Sequence, residues 1–144
     1  MLMGTFEHRL DAKSRLVLPA KFRDELGETV IAAFGMERCV SLYSQAEWER
    51  LIRWMDAESF MNNAKARRLQ RIVLASAHDL APDGAGRILL PSVLRDYAGI
   101  RQDLVVNGVN DHAEVWDRAA WTEYSQAGLD ALQELAGGEM NGNA

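Results

Sequence analysis

The chain has 144 residues, with 16 Lys and Arg against 21 Asp and Glu, and is 48% hydrophobic and 26% charged. These values fit an ordinary folded protein of one compact domain or two small fused halves, and exclude a disordered or fibrous chain. No apolar run approaches the ~20 residues needed to span a bilayer, and the single Cys39 excludes an intrachain disulfide.

No secretory signal is read at the start, so a cytoplasmic location is expected. A short extended run, Gly4–Leu10, leads to the turn Asp11-Ala-Lys-Ser-Arg15, then to the apolar strand Leu16-Val-Leu18, which Pro19 ends. Proline suits the first turn of a helix, and Gly27 sits where a helix of about two turns would stop. Strands over Thr29–Phe34 and Cys39–Tyr43 follow, joined by the turn-like Gly35-Met-Glu-Arg38. Ser44-Gln-Ala-Glu47 has capping-box spacing, and Trp48, Leu51, Ile52 and Met55 recur at helical spacing. A second helix, Asn63–Ala75, carries Lys65, Arg67, Arg68 and Arg71 and links the first half to the second.

The chain then repeats itself. Asp11-Ala-Lys-Ser-Arg-Leu-Val-Leu-Pro19 aligns with Asp83-Gly-Ala-Gly-Arg-Ile-Leu-Leu-Pro91 at an offset of 72, and Phe22, Arg23, Asp24 and Gly27 align with Leu94, Arg95, Asp96 and Gly99. At an offset of 73, Gly35, Leu42, Tyr43 and Trp48 align with Gly108, Val115, Trp116 and Trp121. The second copy therefore predicts strands over His78–Leu80, Ile88–Leu90, Asp103–Asn107 and Ala113–Trp116. A helix opens with Asp117 as N-cap, runs through Trp121 and Tyr124, and has Leu129, Leu132 and Leu135 as a possible continuation after Gly128. Two copies imply a pseudo-twofold architecture. The expected division is 1–75 for the first repeat and its linking helix, 76–136 for the second, and 137–144 for a Gly/Asn-rich disordered tail.

Charge divides unevenly between the copies. Residues 1–73 carry a net +2 and residues 74–144 a net −7. Five cations stand between Arg9 and Arg23 against the single Asp11. A local basic patch can meet phosphates on an acidic protein because fields decay over roughly 8 Å at physiological salt. The first turn presents Lys13 and Arg15; the second has Ala85 in the place of Lys13 and keeps Arg87. Arg15 is therefore assigned to nucleic-acid contact, with Lys13 beside it. Arg87 is read first as a partner of its own turn carboxylate Asp83, and Arg87 and Arg9 are secondary candidates for DNA contact. Asp11 and Asp83 are read as acceptors for turn N–H groups.

Catalytic constellations are absent from the pattern. His8, His78 and His112 are scattered, Gly84-Ala-Gly86 lacks the loop and Lys-Ser/Thr of a phosphate-binding loop, and no Cys/His spacing suits a metal. No enzyme activity, cofactor or metal is expected.

The tandem Asp-x-x-Gly-Arg pattern, the apolar strand and proline after each copy, and the capped helix with Trp48 resemble the MraZ family, bacterial transcriptional regulators associated with the division and cell-wall gene cluster. The resemblance covers nearly the whole chain, with Ser14 standing where the family usually has Gly. It implies an α+β, mainly β fold similar to the AbrB/SpoVT swapped-hairpin β-barrel, with two such halves in one chain and peripheral helices. It also implies ring-like homo-oligomers, binding to tandem promoter repeats of double-stranded DNA including the protein's own promoter, a nucleoid location, and DNA contact by Lys13 and Arg15. The competing readings are an AbrB-like antitoxin and a purely structural, oligomeric interaction protein.

Overall fold

In the computed structural model, which describes residues 1–59 and 63–142, eight strands and five helices follow one another in two similar series. The first comprises β1 (Thr5–Arg9), β2 (Arg15–Val17), α1 (Ala20–Leu26), β3 (Val30–Phe34), β4 (Val40–Ser44), α2 (Gln45–Ser59) and α3 (Ala64–Ser76). The second comprises β5 (His78–Leu80), β6 (Arg87–Leu89), α4 (Ser92–Ala98), β7 (Asp103–Gly108), β8 (Ala113–Asp117) and α5 (Arg118–Gly142).

The repeats do not form separate sheets. One six-stranded antiparallel sheet runs in the order β1-β7-β8-β4-β3-β5, and β2 pairs with β6 as a separate two-stranded ribbon. Only the hairpins β3–β4 and β7–β8 are internal to a repeat. The first strand of each repeat leaves its own hairpin and adds to the other's: β1 lies on β7 with Thr5 opposite Asn107, and β5 lies on β3 with Val30 opposite Leu80. The pair β4–β8 joins the two hairpins at the pseudo-twofold centre. This exchange explains the continuous apolar runs, since both faces of β3 and much of β7 are covered. One core results, drawing Leu16, Phe22, Val30 and Leu42 from the first repeat and Ile88, Leu94, Leu104 and Val115 from the second. Each such side chain contributes about 1.5–3 kcal/mol by leaving water.

Local signals set the helix starts. Pro19 and Pro91 stand at the N-caps of α1 and α4, where a missing N–H costs nothing. Ser44 Oγ accepts the Glu47 N–H at 3.2 Å, Asn63 Oδ1 accepts the Ala66 N–H at 3.0 Å, and Asp117 Oδ2 accepts the Ala120 N–H at 3.1 Å. Of the capping box, only the Ser44 half is made as predicted; the Glu47 carboxylate pairs with Arg50 one turn on.

One expectation is corrected. Helices account for more of the chain than strands, so the fold is α+β with antiparallel sheets but not mainly β. α5 alone spans 25 residues and continues through Gly128, Gly137 and Gly138 to Gly142. Once a helix is nucleated, each added residue gains a hydrogen bond, and isolated glycines cost only about 1 kcal/mol each. Residues 143–144 lie outside the described residues.

Because four of the six ladders cross between repeats, neither half has a closed set of strand partners. Fragments 1–75 and 76–136 expressed separately are expected to be unfolded or self-associated, and to regain dispersed amide resonances as a 1:1 complex when mixed. A folded monomer of either fragment by light scattering and NMR would contradict this.

Candidate nucleic-acid interface

The turns that open β2 and β6 share one design. Asp11 Oδ1 accepts the N–H groups of Lys13 and Arg15, both at 2.9 Å, and the Ser14 N–H closes onto the Asp11 carbonyl at 3.0 Å. In the second copy Asp83 Oδ1 accepts Ala85 N–H at 3.0 Å and Arg87 N–H at 2.9 Å, with Gly86 N–H on the Asp83 carbonyl at 2.9 Å. The second carboxylate oxygen takes the arginine: Arg15 Nε lies 2.7 Å from Asp11 Oδ2, and Arg87 Nε 2.8 Å from Asp83 Oδ2. Both carboxyls are held below the usual range, Asp11 first by the Arg15 backbone N–H and then by those of Lys13 and the Arg15 side chain. Asp83 is lowered first by the Arg87 backbone N–H and then by the Arg87 side chain. A carboxylate accepting several N–H bonds favours its charged form.

The ribbon fixes where these side chains point. Leu16 pairs with Ile88, and both are fully buried. Alternation along the strands therefore turns Arg15, Val17, Arg87 and Leu89 to the opposite face. Arg15 stands opposite Leu89 and Val17 opposite Arg87. Leu89 is 57% exposed, a large apolar group on an otherwise cationic surface. The antiparallel register also separates the turns: Leu90 N–H bonds to the Ser14 carbonyl and Leu18 N–H to the Gly86 carbonyl, so the turns occupy opposite ends of the ribbon.

The arginines under the turns explain the Ser14/Gly86 difference. Both residues are left-handed, with φ of 60° and 78°. A Cβ at Gly86 would overlap the Nη1, Cδ and Cζ atoms of Arg23, which fills the space beneath the second turn. Its counterpart Arg95 donates through Nε to the Leu90 carbonyl at 2.9 Å, and the first turn carries the Ser14 side chain. Serine is thus accommodated at one turn, whereas at the other it would require the Arg23 side chain to move.

Each predicted residue can now be placed. Lys13 is exposed at the tip of the first turn, and its ammonium has no ion-pair partner among the described residues. Arg15 does not stand free. Its side chain is 28% exposed and clamped by Asp11 just as Arg87 is by Asp83. The clamp uses Nε, and a guanidinium keeps four further N–H donors on its terminal nitrogens. Arg9 belongs to β1 and pairs with Asp103 across the β1–β7 ladder at 3.1 Å. Leu89 and Val17 complete the outward face and were not singled out from the sequence. Their alternation was the available signal, masked because Leu16-Val-Leu and Ile88-Leu-Leu read as uniformly apolar.

The titratable groups elsewhere make no reacting constellation. His112 sits in a groove of about 780 Å³ walled by Tyr43, Trp54, Trp116 and Trp121, which no turn residue lines. Burial pulls its pKa down, but hydrogen bonds to Glu114 (Nε2, 3.2 Å) and Asp111 (Nδ1, 2.7 Å) outweigh this and raise it. Both ring nitrogens are therefore occupied. Burial pushes the Cys39 thiol far up and Tyr43 up to about 12, leaving neither ionised at neutral pH. Among the described residues no group of His, Cys, Asp and Glu could hold a metal, and no helix is long and apolar enough to cross a membrane.

A family model described as "MraZ protein, putative antitoxin-like" matches the chain twice, over residues 1–72 and 73–134. The chain belongs to the MraZ family. Two similar relatives are each named Transcriptional regulator MraZ: that of Salinispora arenicola is 42% identical over 99% of both chains, and that of Bifidobacterium longum 44% identical over 94% of this chain and 90% of its own. MraZ proteins are a family of transcriptional regulators and not of enzymes. The two matched segments hold the strands of the two series described above, with the boundary falling inside α3, and those strands interleave in one MraZ chain.

Gly86→Ser is expected to destabilise the fold by about 1–3 kcal/mol, through displacement of Arg23 and a strained φ, whereas Ser14→Gly should stabilise it by up to ~1 kcal/mol. Urea denaturation midpoints measure both. Because the folded-state pKa values of Asp11 and Asp83 are depressed, the turn stabilisation is full above the ordinary carboxylate range and is lost as pH falls through the lowered values. The Nε–H resonances of Arg15 and Arg87 should shift together in that acidic window, and Asp11→Asn should abolish the shift at Arg15 alone.

Proposed function

We propose that the chain binds double-stranded DNA through the outward face of the β2–β6 ribbon, with Lys13 and Arg15 as the principal contacts and Arg87 and Arg9 as secondary ones. The observation that carries this reading is the rigid presentation of cations: the Asp11 carboxylate accepts the backbone N–H and Nε–H of Arg15 and the backbone N–H of Lys13, holding Arg15 at the ribbon surface with the unpaired Lys13 ammonium beside it. A two-stranded antiparallel ribbon fits the major groove of B-form DNA. Terminal guanidinium nitrogens suit phosphate or the O6/N7 edge of guanine, and Leu89 and Val17 suit a thymine methyl.

The magnitudes favour repetition. The first turn carries Lys13 and Arg15 against Asp11, one net positive charge; the second carries Arg87 against Asp83, none. One protomer thus neutralises few phosphates and binds weakly. A ring-like homo-oligomer would set several ribbons against evenly spaced promoter repeats, so that after the first contact each further one is intramolecular. In this reading the protein is a cytoplasmic, nucleoid-associated repressor of the division and cell-wall gene cluster, its own promoter included, acting by occlusion. The sheet and ribbon together form the swapped-hairpin barrel of the AbrB/SpoVT type, a reading supported by the exchange of β1 and β5.

Mobility-shift titrations with the DNA upstream of the protein's own gene test this. Lys13→Ala should weaken binding and lower the slope of log affinity against log salt by about one per protomer engaged. Arg15→Ala should weaken it at least tenfold with oligomer size unchanged. Unaltered affinity in both variants would overturn the assignment.

A further inference from the structure

The pseudo-twofold breaks at the helices. In the first repeat α2 is covered: Leu51 and Ile52 pack with Val73 of α3 around Trp48, and Gln70 of α3 donates to Asp56 of α2. The 73-residue offset makes α5 the counterpart of α2, with Trp121, Tyr124, Ser125 and Gly128 in the places of Trp48, Leu51, Ile52 and Met55. Trp121 and Tyr124 pack on Trp116, with ring centroids 5.3 and 4.6 Å away, but the second repeat has no third helix among the described residues. Along the same side of α5, Leu129, Leu132 and Leu135 follow, each more than half exposed. A helix face that its internal counterpart buries is here left bare.

The helix that does the covering has a second apolar face. α3 uses Ala66 and Val73 towards the body, while Leu69 and Ile72 stand more than half exposed, with Lys65 and Arg68 one turn before them. We propose that α5 of one copy docks on this outer face of α3 of a second copy, so that α3 does for a neighbour's α5 what it does for its own α2.

Charge selects this pairing among the three available. Within α3 there are four cations and no acid, whereas α5 beyond Arg118 carries Glu123, Asp130, Glu134 and Glu139 and no cation. Pairing α5 with α5, or α3 with α3, sets like charges together; only α5 with α3 brings opposite signs to one contact. Of these, Glu123, Asp130 and Glu134 lie on the side of α5 away from the leucines, by helical spacing. They therefore stay hydrated and act across roughly a Debye length of 8 Å, orienting the approach, while Leu129, Leu132 and Leu135 fill the contact with Leu69 and Ile72. The two surfaces differ and every copy carries one of each. The contact is therefore heterologous, and it propagates until rotation closes it into a ring. The inference rests on the assembly part of the proposed function and is independent of DNA binding.

Two variants test it, Leu129→Ser with Leu132→Ser, and Arg68→Glu with Ile72→Ser, all at solvent-exposed positions and checked for unchanged far-UV circular dichroism. In size-exclusion chromatography with light scattering, each alone should run as a monomer where the unaltered chain assembles. An equimolar mixture should give a dimer, because one intact α5 and one intact α3 remain. Wild-type mass in both variants, or a mixture that stays monomeric, overturns the docking while leaving assembly standing. Retention of mass by the α3 variant alone means that α5 pairs with itself, which also overturns it. A monomeric unaltered chain overturns both the docking and the assembly reading.

Discussion

The β2–β6 ladder is the constraint on which the rest of the molecule depends. Its three residue pairs join the two repeats, turn Leu16 and Ile88 into the core and thereby force Arg15, Val17, Arg87 and Leu89 outward. A slip of one residue would exchange these sets, burying two arginines and exposing two large apolar side chains. The cost of that exchange fixes the register. The turns then need only pin the ends of the strands, which Asp11 and Asp83 do by accepting N–H groups two and four residues ahead.

Much of this was legible in the sequence because the repeat is written in residues with strong local meaning. The aspartates before tight turns, the prolines at helix starts and the serine and aspartate N-caps each act within a few residues, and all stand where expected. Strand existence was legible too, since the short apolar runs lie between turn residues. What pairing those strands adopt was not. β1 finds β7, about one hundred residues away, and β5 finds β3 only through side-chain fit in the core, which no local spacing encodes.

The site was half legible. Spacing singled out Lys13, Arg15 and Arg87 as candidates and allowed each arginine to pair with its own turn aspartate, but left open whether Arg15 does so, because the clamp depends on a side-chain bond back to a residue four positions earlier. Leu89 escaped notice for the converse reason: an uninterrupted apolar triplet hides which member faces water until a partner strand is placed. The sequence left open whether the last helix continues past Gly128; it does, because helix propagation is cooperative.

The unequal turns give the ribbon a direction. A reader with true twofold symmetry presents the same groups to both strands of a duplex and so prefers inverted half-sites. Here lysine stands at one end and alanine at the other, so rotating a protomer end over end does not restore the surface it shows. If the ribbon reads DNA as proposed, such a surface would distinguish upstream from downstream along its target, and copies arranged head to tail would match words that all run the same way.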